Sequence, residues 1–164
     1  MKKIISILLI TSSLFSQELK IKSQKFNSDE KAGISVFEGE VNIIKGTDEL
    51  NASKVTIYTD KDHNPTKFIA VGDASFKITT EEGSRYKGKA QKVIYIPAKK
   101  EYHFYKSVHL KQIDDKKEII GEEVVLKTIE GKAYAKGAKK EPVIMIFNIP
   151  DEEPKKKQKK KEVK

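Results

Sequence analysis

Apolar and polar residues alternate along most of this chain, and the alternation recurs in a longer phrase. One version reads Phe37-Glu38-Gly39-Glu40-Val41-Asn42-Ile43. A second reads Ala70-Val71-Gly72-Asp73-Ala74-Ser75-Phe76, and a third Phe104-Tyr105-Lys106-Ser107-Val108-His109-Leu110. A shortened fourth copy is Ala135-Lys136-Gly137. The central positions 39, 72, 106 and 137 are spaced 33, 34 and 31 residues apart. Residues i, i+2 and i+4 of a strand share one face. Each full copy therefore sets an apolar row against a mostly polar one. A period of this length, one supersecondary unit per repeat, is the signature of stacked β architecture.

A second phrase follows each first one: Leu50-Asn51-Ala52-Ser53-Lys54-Val55-Thr56-Ile57-Tyr58, then Tyr86-Lys87-Gly88-Lys89-Ala90-Gln91-Lys92-Val93-Ile94-Tyr95, then Ile120-Gly121-Glu122-Glu123-Val124-Val125-Leu126. It runs from a small residue into a β-branched or aromatic end. The strands predicted are Leu19–Phe26, Ile34–Ile44, Glu49–Tyr58, Thr66–Thr79, Ser84–Tyr95, Tyr102–Gln112, Glu118–Thr128, Lys132–Gly137 and Pro142–Asn148. Turn clusters such as Lys45-Gly46-Thr47-Asp48 and Glu81-Glu82-Gly83 separate them. Short hairpin loops between successive strands make the sheet antiparallel and meandering. The longest strands are expected to bend at their glycines.

The ends differ from this body. Residues 1–16 begin with Lys2 and Lys3, run through an apolar stretch to Phe15, and offer Ser16 before Gln17-Glu18. That is the pattern of a cleaved signal peptide. The apolar stretch, about 12 residues, is short of the roughly 20 a spanning helix needs; the alternative is an uncleaved anchor. Residues 151–164 carry seven lysines, four acids and one apolar residue, so they cannot bury a core and are expected to be disordered. This tail reads either as a solvated segment or as a contact for anionic lipid or an acidic partner. Of the formal charge of +9, the leader holds +2 and the tail +3, leaving the body, residues 17–150, near +4. A lysine run without interleaved aromatics does not point to nucleic acid. With no cysteine, the chain draws no stability from disulfides.

Candidate chemistry is sparse. No nucleophile elbow, phosphate loop or paired-carboxylate signature is present, so no catalytic residue is assigned and the chain does not read as an enzyme. His63 lies in a turn; His103 and His109 lie six apart on one strand without a third ligand, so no metal or cofactor is called. Asn51-Ala52-Ser53 is a glycosylation sequon placed in a strand.

What the repeat offers instead is a surface. Phe37, Val41, Ile43, Phe68, Ala70, Ala74, Phe76, Ile78, Tyr102, Phe104, Val108 and Leu110 share strand parity and, stacked, form an apolar stripe. Such a stripe is either a dry sandwich core or the lining of a lipid groove.

The paired phrases, Glu38-Gly39-Glu40-Val41-Asn42-Ile43 with Ala52-Ser53-Lys54-Val55 and Val71-Gly72-Asp73-Ala74 with Ala90-Gln91-Lys92-Val93-Ile94-Tyr95, resemble the lipopolysaccharide-transport periplasmic protein A (LptA/OstA-like) family over about residues 18–149. The ending Lys136-Gly137-Ala138-Lys139-Lys140-Glu141-Pro142-Val143-Ile144-Met145-Ile146-Phe147 is also similar. Lys106 departs from the pattern, standing where the other copies have glycine, as does Glu122-Glu123; both draw attention to the bend of the third unit. The resemblance implies an all-β fold, an open antiparallel β-jellyroll shaped as a V-shaped trough. It implies a periplasmic carrier whose apolar groove, lined by the twelve residues above, shields the acyl chains of lipopolysaccharide (lipid A). It further implies end-to-end self-association and contacts with the inner-membrane anchored and outer-membrane translocon proteins of the same export system. The membrane-anchored partner of that system shares the fold and is a close alternative. The alternative of another class is a closed-core β-repeat structural or adhesive protein with a polyanion-binding basic tail.

Overall fold

A computed structural model describes residues 18–149. The signal-peptide and tail assignments therefore lie outside the described residues. The elements are β1 (Leu19–Lys22), β2 (Lys25–Asp29), β3 (Ile34–Lys45), β4 (Asp48–Thr59), β5 (Pro65–Thr79), β6 (Arg85–Ile96), a 3-10 turn at Pro97–Lys99, β7 (Glu101–Gln112), β8 (Lys117–Lys127), β9 (Lys132–Lys136) and β10 (Ile144–Ile146). All pairings are antiparallel, in the order β1-β3-β4-β5-β6-β7-β8-β10, with β2 also on β3 and β9 also on β8. The two ends of the sheet do not pair with each other, so the sheet is open.

Every long strand is broken at one level by a register shift: between Glu38 and Val41, Asn51 and Lys54, Val71 and Ala74, Lys89 and Lys92, and Tyr105 and Val108. The first-phrase strands each place two successive residues there with positive φ. These are Gly39 and Glu40 (79° and 48°), Gly72 and Asp73 (85° and 47°), and Lys106 and Ser107 (63° and 50°). The second-phrase strands answer with an inward step of three, from Ala52 to Val55 and from Ala90 to Val93, all four buried. The result is a fold line across the whole sheet. The bend at Lys106 is kept without glycine.

The line divides the sheet into two leaves. The front leaf holds β2, the segments 34–38, 54–59, 65–71, 92–96, 101–105 and 123–127, and β9. The back leaf holds β1, the segments 41–45, 48–52, 74–79, 85–90, 108–112 and 117–121, and β10. The predicted strand Leu19–Phe26 is therefore two strands. Ser23 and Gln24 cross the fold line, and the Gln24 N–H donates to the carbonyls of Glu38 (3.1 Å) and Gly39 (3.0 Å) instead of continuing a ladder. The last strand is shorter than expected, Ile144–Ile146.

The core lies between the leaves. Its largest fully buried side chains are Val41, Leu110 and Val108 from the back leaf and Val55, Phe104, Val124 and Leu126 from the front leaf.

Candidate functional site

All twelve stripe residues belong to or pack against this one inter-leaf cluster. Val41, Ile43, Ala74, Phe76, Ile78, Val108 and Leu110 are buried on the back leaf, and Ala70 and Phe104 on the front leaf. Phe37, Phe68 and Tyr102, also on the front leaf, are half-buried. The leaves meet ring to ring: Phe76 stacks on Phe104 with centroids 4.4 Å apart. Phe76 reaches this position because it lies over Gly88, where a Cβ would stand 2.8 Å from its Cζ. Tyr95 stacks on Tyr102 at 4.4 Å and tilts against Phe68 at 5.9 Å, continuing the aromatic wall toward the mouth.

Sequence parity missed the second-phrase contribution. Val55, Ile57, Tyr86, Ala90, Val93, Val124 and Leu126 are buried in the same cluster. The signal was present in the Ala-x-x-Val spacing, which a strict period of two passes over.

Between the leaves lies a cavity of about 340 Å³. Ile43, Leu50, Phe76 and Ile78 line it from the back leaf, and Phe68 and Tyr95 from the front leaf. Lys45 and Asp48 stand on one side of its opening and Pro65 and Pro97 on the other. Burial pushes the Asp48 carboxyl up, against the opposing pull of the Thr79 N–H, which donates to it at 2.8 Å, and of Lys45. Burial likewise raises the Tyr102 phenol, and the Asp48 charge across the gap adds to it. Charged side chains, Lys45, Asp48, Glu49 and Lys77, thus stand on the back-leaf side of the cavity, while the rest of its lining is almost wholly apolar.

Further along, the mouth is shut. The turn after β5 and the turn after β6 belong to opposite leaves, and Lys100 of the front leaf forms an ion pair with Glu81 of the back leaf. The Lys100 carbonyl in turn accepts from the backbone N–H of Thr128 (3.1 Å) and from its hydroxyl (2.8 Å). A Cβ on Gly131 would lie 3.2 Å from Glu82 Oε2, so the leaves approach there as well.

The histidines do not meet. The fold line between them sends His103 to the outer face of the front leaf, beside Glu101 at 3.3 Å, and His109 to the back leaf, beside Glu118 at 2.8 Å. Among the described residues no cluster of three or more His, Asp or Glu has metal-binding geometry. The outer face of the front leaf is not the polar face expected from alternation. Val36, Ile69, Ile94 and Val125 run across it, half-covered. Lysine stems lie alongside, Lys67 over the Tyr58 ring at 5.6 Å and Lys92 over the Tyr105 ring at 5.9 Å.

A family model described as LptA/(LptD N-terminal domain) LPS transport protein matches residues 20–132. No curated protein matches the chain. Among solved structures, the chain is similar to LptH from Pseudomonas aeruginosa, described as the LptA-homologous periplasmic component of the lipopolysaccharide transport device. The TM-score is 0.71 at 19% identity, covering 81% of this chain and 96% of that one. That likeness is one of fold.

Proposed function

The chain belongs to the LptA and LptD N-terminal-domain family of lipopolysaccharide transport proteins, and we propose that it is a periplasmic carrier whose inter-leaf interior shields the acyl chains of lipopolysaccharide. The observation that carries this reading is the apolar cavity opening between two leaves of one bent sheet. Six of the twelve stripe residues, Ile43, Phe68, Ala70, Phe76, Ile78 and Tyr102, line it together with Leu50, Val93 and Tyr95, and the other six belong to or pack against the core cluster beside it. A hydrocarbon chain needs only such a lining, since each Å² of apolar surface removed from water contributes about 25 cal/mol. The role is transport, not catalysis.

We assign the bridging role to the sheet's two open edges. At the last edge Ile144, Met145, Ile146 and Phe147 are exposed; at the first, Leu19 and Phe26 are. Unpaired apolar edges accept a strand from another chain. The partners this implies are further copies joined end to end and, at the termini of the row, the inner-membrane anchored and outer-membrane translocon proteins of the export system.

In cells that make lipopolysaccharide, a photo-crosslinking residue at Phe68 or Phe76 is expected to capture glycolipid. The same residue at Thr56 or Ile94, on the outer face of the front leaf, is expected to capture none. Equal labelling at the four positions, or none in folded and exported protein, overturns the groove and favours the closed-core scaffold.

A further inference from the structure

The outer face of the back leaf is built differently from that of the front leaf. Strand register sets Lys77 of β5 opposite Lys87 of β6, and Lys87 opposite Lys111 of β7. One step away Lys89 stands opposite His109. Like charges placed directly across a ladder destabilise it, so this arrangement works against folding. Neutralisation is partial. Glu49 takes Lys77 at 3.1 Å, while Glu118 takes both Lys111 at 2.5 Å and His109 at 2.8 Å. Among the described residues Lys87 and Lys89 enter no ion pair.

The front leaf treats its outer lysines otherwise. Lys54 is paired with Glu38, Lys127 with Glu101, and Lys67 and Lys92 lie on tyrosine rings.

The cationic face is also concave. A depression of about 480 Å³ is lined by Lys77, Lys87, Lys89, Lys111 and His109, with Glu49, Asn51 and Ser75 also in its wall. Lysine ammonium groups act as point charges for phosphate oxygens. Several of them around one hollow suit a compact group bearing two phosphates better than a single carboxylate. Glu49, Phe76 and Lys77 line both this hollow and the apolar cavity.

We propose that this depression is the seat of the phosphorylated headgroup of the amphiphile whose chains enter the cavity, held chiefly by Lys87 and Lys89. The inference rests on the carrier reading above. The headgroup folds over the rim at Lys77 onto the outer face, and one molecule is then held by two surfaces of the same leaf.

The test titrates the full exported chain with inorganic pyrophosphate by calorimetry at low salt, then with a diphosphorylated lipid A and its enzymatically dephosphorylated form. Pyrophosphate is expected to bind once per chain, and the Lys87→Gln/Lys89→Gln pair to weaken it at least about tenfold. A Lys67→Gln/Lys132→Gln pair, removing equal charge from the front leaf, is expected to leave it within about twofold. Diphosphorylated lipid A should displace pyrophosphate and lose affinity in the first variant, while the dephosphorylated lipid should bind both proteins alike. Absence of saturable pyrophosphate binding, or equal losses in the two variants, overturns the site. Simultaneous binding of pyrophosphate and diphosphorylated lipid overturns the headgroup assignment and leaves a site for free anions. Failure of the carrier reading has its own mark: no glycolipid label at Phe68 or Phe76, whatever pyrophosphate does.

Discussion

The fold line makes a quantitative demand on Lys106. In two of its three positive-φ pairs the first residue is glycine; in the third it is Lys106, at φ 63°. An L-residue held left-handed costs about 1–2 kcal/mol, and glycine in its place gives back about 0.5–1 kcal/mol through the freedom it adds to the unfolded chain. Lys106 is exposed and in no ion pair among the described residues, so Lys106→Gly loses no contact of note. The net expectation is a gain of about 0.5–1 kcal/mol, or a rise in Tm of about 2–4 °C for a domain of this size. Gly72→Ala is the opposite experiment. Its φ is 85°, and the new Cβ would stand 2.5 Å from Ser53 Oγ and 2.6 Å from Ser53 Cβ, the latter fixed to its strand. Strain and displacement together should cost about 2–3 kcal/mol. Thermal and urea unfolding followed by circular dichroism reads both. If Lys106→Gly leaves Tm unchanged or lowers it, the bend is not a matter of backbone conformation and the reasoning fails.

Two further outcomes concern the mouth and the charges. The half-exposed Lys100–Glu81 pair is worth about 0.2–1 kcal/mol, so Lys100→Glu or Glu81→Lys should speed uptake of a fluorescent lipid A analogue up to about fivefold, and the double swap should restore the original rate; unchanged rates in the single reversals refute the clasp. Lys111 beside Glu118, Lys54 beside Glu38 and Arg85 beside Asp114 hold these carboxyls below their ordinary values. The native state therefore binds their protons less readily than the unfolded chain, and their contribution is present above about pH 4.5 and lost as pH falls through and below it. Asp48, raised by burial, runs the other way and loses its contribution as pH rises from below its ordinary value. Unfolding midpoints measured from pH 7 to 3 should stay level to about pH 5 and then fall, less steeply in Glu118→Gln.

Period and parity make much of this fold legible in the sequence. Strands β3 to β9 lie within a residue or two of their predicted bounds, and the twelve residues of one parity converge on one interior. Each miss has a local cause. Leu19–Phe26 alternates without interruption, and only pairing with β3 reveals that Ser23 and Gln24 turn the chain from one leaf to the other. The inward step from Ala52 to Val55 changes parity within a strand, so counting by twos loses half the lining. The runs Phe68-Ile69-Ala70-Val71 and Val93-Ile94-Tyr95-Ile96 are apolar on both faces, a pattern that belongs to doubly covered strands; it encodes the outer stripe, which strict alternation passes over. The Lys100–Glu81 clasp joins turns of opposite leaves, and no short-range pattern encodes it.

On the proposed reading the same side chains serve as core when the protein is empty and as lining when it is loaded. A cavity of about 340 Å³ lies near the lower end of ligand-pocket volumes, roughly 300–1,000 Å³, and suits one chain rather than several. The rest of the interior is filled by the protein's own rings, Phe76 against Phe104 above all. Carrying a lipid with several chains therefore requires the leaves to part. The geometry makes that inexpensive. The ladders run along each leaf, and the line about which the leaves would turn is the level at which every long strand has already lost its register. Opening there breaks no regular strand pairing. The ring-to-ring contact given up is replaced by ring-to-hydrocarbon contact of similar transfer energy, which leaves the Lys100–Glu81 clasp and the contacts beside it as the main barrier. A bent open sheet is thus suited to this task in a way a closed barrel is not, because its core can exchange its own side chains for a ligand without unzipping a strand.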